Sequence, residues 1–299
     1  MTQPPPRIVI DCDPGRDDAL AILAALGCAS IQLDFITTVA GNVSIDRATS
    51  NALRVLAVAG IDTVPVYRGA SAPLRRTLVP GSTLHGDMAD SEPALPEPLS
   101  SAAGDAKDQL RRWCKQPSDV LKGLVAIGPL TNIGGLLVED PTALSGVDEI
   151  YVMGGTVGRI PTRASPTAGS ISQRSRRRRS RPERGRPGPA LRLRRHDVVP
   201  GPAGVVDEIA TRIGPPIGPF VGGWLRHLWE YANKVYGREG IAIHDLYALA
   251  GAAGVLPDRW EWYSMRIGLD DDDRGTIYAE QVSLPTALPW PEALSQMRS

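Results

Sequence analysis

Short apolar runs alternate with longer amphipathic stretches through the first half of the chain. Ile8-Val9-Ile10 is apolar and β-branched and predicts a buried strand. The turn Asp11-Cys12-Asp13-Pro14-Gly15 follows, in which Pro fixes φ and Gly admits a left-handed backbone. An apolar helical stretch then begins at Asp17-Asp18 and runs to about residue 27. Residues 31–39 predict a second strand that ends in Ala40-Gly41-Asn42. Beyond Ser44, Ala48, Ala52, Val55, Leu56 and Ala59 recur at spacings of three and four, which predicts a helix that Gly60 stops. Strands follow at 64–67, 121–127 and 147–153, with helices at 102–115 and 133–138.

Strands that alternate with helices predict an α/β fold, an open and mostly parallel central sheet with helices on both faces. In such sheets ligands bind beyond the carboxyl ends of the strands. Asp13 and Asn42 both fall there. The stretch 68–101 is irregular and carries His85-Gly86-Asp87 in its middle. A loop of that length within a domain is usually functional or disordered. Further on, 220–236 is helical and rich in aromatics (Trp224, Trp229, Tyr231, Tyr236). Ile241-Ala242-Ile243-His244-Asp245 leads into a helical run at 246–253, and 264–269 reads as a strand. Asp270 to Asp273 reads as a solvated acidic turn. The last fifteen or so residues are Pro-rich and weakly patterned.

Composition fits one globular domain over residues 1–299: hydrophobic content is 42% and mean hydropathy is −0.13. No run approaches the roughly 18 apolar residues of a membrane span, and the first residues have no apolar signal region. Cys12, Cys28 and Cys114 are too few and too scattered for a disulfide framework, so a cytoplasmic location is expected.

The opening motif holds the most distinctive chemistry. Asp11, Asp13, Asp17 and Asp18 place four carboxylates within eight residues, where a strand ends and a helix begins. Like charges so close call for a cation among them. The helix N-terminus supplies a fraction of a charge, and a divalent ion supplies two. Oxygen-only ligands favour Ca²⁺ or Mg²⁺ over Zn²⁺.

The order of motifs resembles the inosine–uridine nucleoside hydrolase family. The fingerprint is Asp11-Cys12-Asp13-Pro14-Gly15-Arg16-Asp17-Asp18-Ala19, followed by Thr37-Thr38-Val39-Ala40-Gly41-Asn42-Val43 and His85-Gly86. Gly128-Pro129-Leu130-Thr131-Asn132, Met153-Gly154-Gly155 and His244-Asp245 come after in the family's order. The resemblance implies hydrolysis of the N-glycosidic bond of ribonucleosides to ribose and free base, with one bound Ca²⁺. It implies Asp13, Asp18, Asp245 and the Thr131 carbonyl as ion ligands. Asp13 would take a proton from the Ca-bound water. Asp17 and Asn42 would hold ribose hydroxyls, Met153 would lie against the sugar, and Asp11 would act from behind the ligands. His244 is the candidate acid for the departing base, because imidazole titrates near neutrality. His85 is a candidate to stack on the base, and the aromatics of 224–236 to wall its pocket. The family resemblance also implies a homo-oligomer, a dimer or tetramer. Neither a nucleic-acid partner nor a membrane is expected.

The charge distribution marks where the chain departs from that pattern. Formal net charge is zero, yet residues 159–196 hold thirteen Arg and one acid, Glu183. The segment has no helical or alternating period. Family members carry an Asn/Glu/Asn set here that grips ribose; this chain has no Asn between Thr156 and Pro219. Alternating Arg, Pro, Ser and Gly is what out-of-frame reading of a GC-rich coding region gives, which points to compensating frame changes near 159 and 196. A disordered basic insert and a phosphate-binding arm are the rival readings. A weakened or inactive hydrolase is the expectation.

Overall fold

The computed structural model describes residues 4–75, 77–79, 81, 88, 91–154, 156–157, 190–193, 204–237, 240, 243–255, 261–267 and 276–281. Its central element is β1 (Arg7–Cys12), which pairs in parallel with β2 (Gln32–Thr38) on one side and β4 (Lys122–Ala126) on the other. With β3 (Val66–Arg68) beside β2 and β5 (Glu149–Val152) beside β4, the strand order is β3-β2-β1-β4-β5. Every pairing in this sheet is parallel. The winding reverses between β1 and β4, so a crevice opens at their carboxyl ends, the place where α/β sheets bind ligands.

Alternation along the strands divides the core into two layers. Ile8, Ile10, Cys12, Ile36, Val125 and Ile127 pack on one face with α1 (Arg16–Gly27), α2 (Ile45–Ala59), α6 (Ile217–Tyr236) and α7 (His244–Ala252). Val9, Phe35, Leu124 and Ala126 pack on the other with α3 (Ala106–Lys115) and α4 (Thr131–Glu139). The expected α/β architecture with helices on both faces is what the chain forms.

Local signals explain most boundaries. Ser44 accepts from the Arg47 N–H as the N-cap of α2, and Gly60 ends that helix at φ +68°. Asp105 caps α3 by accepting from Lys107 N and Asp108 N, so the helix begins at Ala106, later than the apolar pattern predicted. In contrast, α7 starts at His244, ahead of the predicted 246, and places Asp245 in its first turn. α6 likewise starts at Ile217, three residues before its apolar pattern becomes regular.

α5 (Gly204–Ile213) is an element the sequence reading did not predict, and Val206 is its one buried apolar side chain. It packs on α6 through small residues: a Cβ on Gly222 would lie 2.8 Å from Ala210 Cβ, and one on Gly218 2.3 Å from Ala210 O. A second sheet has the order β6-β9-β8-β7, with β6 at Thr156–Val157, β7 at Ala190–Leu193, β8 at Glu261–Ile267 and β9 at Thr276–Gln281. β7 pairs antiparallel with β8 and comes from the Arg-rich stretch. The rest of 159–196, the acidic turn at 270–273 and the last fifteen residues lie outside the described residues.

Candidate active site

The acidic turn takes its shape from α1. Gly15 is the N-cap at φ −97°, an extended backbone, so the left-handed freedom expected of it is not used. An N-cap residue adopts β-region angles because its own N–H lies outside the helix. Asp18, three positions on, accepts from Gly15 N at 3.0 Å with one oxygen and from Asp13 N at 3.2 Å with the other. Asn51 of α2 donates to Pro14 O at 2.9 Å and fixes the turn from outside. Asp11, Asp13, Asp17 and Asp18 are thereby all buried, at most 6% exposed.

Asp13 is held by the β2 end. Asn42 N donates to Asp13 Oδ2 at 2.6 Å, and Asn42 Nδ2 reaches Asp13 O and Asp18 Oδ2, each at 3.4 Å. Two glycines leave room for the carboxylate. A Cβ on Gly41 would lie 2.0 Å from Asp13 Oδ2, and one on Gly128 2.9 Å from Asp13 Oδ1. Burial raises the Asp13 carboxyl well above the usual carboxylate range; the Asp18 charge adds to this and the Asn42 hydrogen bond opposes it.

Asp245 completes the cluster from the start of α7. One carboxylate oxygen each from Asp17, Asp18 and Asp245 lie within 4.8 Å of one another, all buried. Burial raises Asp245 strongly, followed by the charges of Asp17, Asp18 and Asp13, and it hydrogen-bonds Asp17 side chain to side chain. Asp245 Oδ1 is buried without a hydrogen-bond partner among the described residues. A buried carboxylate oxygen left unpaired and aimed among other carboxylates is costly unless a cation meets it. The donors are hard oxygens, which fits an ion such as Ca²⁺ or Mg²⁺ and not a soft metal. Cys12, in the same turn, has its thiol pushed well up by burial and by the neighbouring aspartates.

The structure therefore brings together Asp13, Asp17, Asp18, Asn42 and Asp245. Asp17, expected on the sugar, sits within the carboxylate cluster itself. Thr131 opens α4 and is 6% exposed, at the carboxyl end of β4. Met153 follows β5, half-buried against the core. His244 is exposed and directly precedes the buried Asp245. His85 lies outside the described residues. Trp224 is core: it is 1% exposed, stacks obliquely on Phe220 at 6.1 Å and donates Nε1–H to Ser91 Oγ at 3.2 Å.

Two residues behind the cluster carried no assigned role in the sequence. Thr37 Oγ1 and Asn132 Nδ2 both donate to Asp11 Oδ1, each at 2.7 Å. Their presence in the Thr-Thr-Val-Ala-Gly-Asn and Gly-Pro-Leu-Thr-Asn blocks was the available signal.

A doubly wound parallel sheet with buried carboxylates at its switch point defines an α/β protein whose ligand site lies at the strand ends. The family model described as inosine-uridine preferring nucleoside hydrolase matches residues 8–175, and the chain belongs to this family. A pyrimidine-specific ribonucleoside hydrolase of Shewanella woodyi is 39% identical over 158 residues, covering 53% of this chain and 50% of that protein. An uncharacterized protein of Schizosaccharomyces pombe is 32% identical over 251 residues, covering 80% of this chain and 77% of its own length. The chain thus spans about half the length of the Shewanella woodyi relative. Among solved structures, a plant nucleoside hydrolase superposes with a TM-score of 0.72 at 20% identity, covering 99% and 98% of the two chains. A purine-preferring ribonucleoside hydrolase from Gardnerella vaginalis gives 0.70 at 20% identity, covering 98% and 96%. These structural likenesses carry the fold.

Proposed function

We propose that this chain hydrolyses the N-glycosidic bond of ribonucleosides, releasing ribose and the free base with one Ca²⁺ at its carboxylate cluster. The observation that carries the reading is the convergence of Asp17, Asp18 and Asp245 at the strand ends, with Asp13 beside them. Relatives bear pyrimidine-specific, non-specific and purine-preferring names, so the ribonucleoside is the class they share.

Asp13, Asp18, Asp245 and the Thr131 carbonyl are the ligands we assign to the ion. When bound, Ca²⁺ makes a nearby water more acidic and offers positions for sugar hydroxyls. Asp13 takes the proton of the attacking water, a task suited to a carboxyl whose basicity burial has raised. Bond cleavage builds positive charge on the sugar, as in other glycoside hydrolyses, and the buried carboxylates favour that charge. Asp17 and Asn42 hold ribose hydroxyls, Met153 lies against the sugar and Asp11 supports the turn. His244 donates a proton to the leaving base; its exposed place beside Asp245 leaves it within reach of solvent protons. The family resemblance gives His85 the role of stacking on the base and the aromatics of α6 that of walling its pocket. The free thiols of Cys12, Cys28 and Cys114 support a reducing, cytoplasmic setting. The family resemblance supports a dimer or tetramer, and no described helix is long and apolar enough to cross a membrane.

A second reading has its own observation. The Asn/Glu/Asn segment expected on the ribose is replaced by the Arg-rich stretch 159–196. Charge-assisted hydrogen bonds of that kind contribute about 1.5–3 kcal/mol each. Their loss makes this chain a slow hydrolase, or a binder of ion and nucleoside without turnover. Reducing-sugar release from inosine and uridine, measured beside calorimetric titration with Ca²⁺ and nucleoside, separates the readings. Sugar release that EDTA abolishes supports the hydrolase. Binding without release supports the non-catalytic relative, and neither signal marks an inactive remnant. Turnover equal to that of a relative with the intact ribose segment would refute the impairment.

A further inference from the structure

Asn132 is the second residue of α4 and is 3% exposed. Both protons of its carboxamide nitrogen and its oxygen are engaged. Nδ2 donates to Asp11 Oδ1 at 2.7 Å and to Thr38 O at 2.9 Å, while Oδ1 accepts from Ala70 N at 2.8 Å. Asp11 lies at the end of β1, Thr38 ends β2, and Ala70 stands two residues past β3. One side chain from α4 therefore joins the carboxyl ends of three adjacent strands. The backbone is moulded to it: a Cβ on Gly69 would lie 2.4 Å from Asn132 Oδ1 and 2.6 Å from Nδ2.

The amide is the group this place demands. Two acceptors and one donor surround it, and a carboxamide supplies two donors and an acceptor. A carboxylate would face Asp11 and Thr38 O with oxygen against oxygen. The partner it holds, Asp11, lies two residues before Asp13 and also accepts from Thr37. Its chain neighbour is Thr131.

We propose that Asn132 is a positioning residue for the ion site. Acting through Asp11, it fixes the turn that carries Asp13, and so sets ion affinity without touching ion or nucleoside. The inference rests on the Ca²⁺ reading of the carboxylate cluster.

The test is Ca²⁺ affinity by titration calorimetry on the full chain. Supports behind metal ligands typically account for about 10–100-fold in affinity. Asn132→Ala is expected to weaken Ca²⁺ binding by that amount. In an Asp11→Ala background the same substitution should weaken it by less than threefold, because the path runs through Asp11. Lys122→Met, a buried change at the opposite end of β4, should lower the melting temperature and leave Ca²⁺ affinity unchanged. If Asn132→Ala does not fold, Asn132→Ser is measured in its place and is expected to shift affinity in the same direction. Ca²⁺ affinity within twofold of wild type in a folded Asn132 variant overturns the proposal, as does a full, multiplicative loss in the Asp11→Ala background. A wild-type chain that takes up no Ca²⁺ overturns both this inference and the ion reading. Ca²⁺ binding with the expected coupling but no release of sugar upholds the inference while the hydrolase reading fails.

Discussion

Gly41 and Asp13 are in such close approach that no side chain fits at position 41: a Cβ there would lie 2.0 Å from Asp13 Oδ2. The same oxygen accepts the Asn42 N–H at 2.6 Å, so the β2–α2 turn both makes room for the carboxylate and aims it. Pro129 closes the remaining space, with ring carbons 2.5 and 2.7 Å from that Cβ position.

Gly41→Ala is therefore expected to displace Asp13 and not merely to crowd it. The methyl cannot escape, since Pro129 blocks the other side. The expected result is loss of Ca²⁺ affinity of about tenfold or more and loss of any sugar release, with the far-ultraviolet circular dichroism spectrum retained. Calorimetry and a reducing-sugar assay on the purified variant read both. Unchanged Ca²⁺ affinity would show that Asp13 is not held by this contact.

Asp245 sets up an opposition between stability and ion binding. Its carboxylate is buried with Asp17, Asp18 and Asp13, and Oδ1 has no partner among the described residues. Asp245→Asn removes one negative charge and supplies an N–H to Asp17. The metal-free variant should melt higher than the metal-free wild type, because functional clusters of like charge are kept at the expense of stability. Its Ca²⁺ affinity should fall at least about tenfold. Thermal melts in EDTA beside calorimetry check this; a variant that melts lower without metal would contradict the repulsion.

The sequence spoke most clearly where local chemistry and tertiary packing agree. Ser44 and Gly60 bound α2 where the apolar spacing placed it, and Ile8-Val9-Ile10 formed the buried strand its β-branching predicts. It spoke less clearly where a polar residue sits inside an element. His244 and Asp245 lie within the first turn of α7, ahead of the apolar run that announced the helix, since a helix N-terminus tolerates acids and needs no apolar face. α5 left a signal that went unread: Val206, Ile209, Ala210 and Ile213 fall on one helical face, although only Val206 is buried and Ala210 packs against glycines. The aspartates of 11–18 were legible as a cluster from spacing alone, whereas Asp245 joined them only through the order of motifs, because it meets Asp17 and Asp18 where α1 and α7 converge, across more than 220 positions of chain. The roles of Thr37 and Asn132 were hidden for the same reason.

Metal removal should make stability pH-dependent in a defined sense. Without an ion, burial and mutual repulsion raise Asp13 and Asp245 above their ordinary value of 3.8. A raised folded-state value means that the native protein keeps protons the unfolded chain has shed. That contribution is present below the unfolded value and is lost as pH climbs through the folded values. EDTA-treated protein should thus melt at progressively lower temperature as pH rises above the ordinary carboxylate range. An ion that binds only the native state adds about 2.7 kcal/mol at a hundredfold excess over its dissociation constant. The gap between Ca²⁺-loaded and stripped melting temperatures should therefore widen with pH. A gap that narrows as pH rises would show that the cluster does not carry the ion.

Lys122 provides a stability prediction remote from the site. It is 2% exposed at the start of β4, and its ammonium donates to Trp113 O at 2.5 Å, Gln116 O at 3.0 Å and Cys114 O at 3.2 Å. These are the last carbonyls of α3 and its C-cap, where a cation also meets the negative end of the helix dipole. The ammonium further lies 4.5 Å from the Trp113 ring centroid. Burial lowers its pKa, with the Cys114 side chain opposing that shift. Lys122→Met keeps the length and apolar stem but takes the ammonium from three carbonyls, of which Trp113 O keeps the Gln116 N–H at 3.2 Å. The expected cost is about 1–3 kcal/mol of unfolding free energy, read as a lower urea midpoint with an unchanged slope. The Cys114 thiol, pushed up to about 11 mainly by burial, is neutral in the folded protein at pH 7, well below the range in which it adds a pH dependence of its own. A midpoint unchanged by the substitution would show that the carbonyls find water or another donor, and that α3 does not depend on this cap.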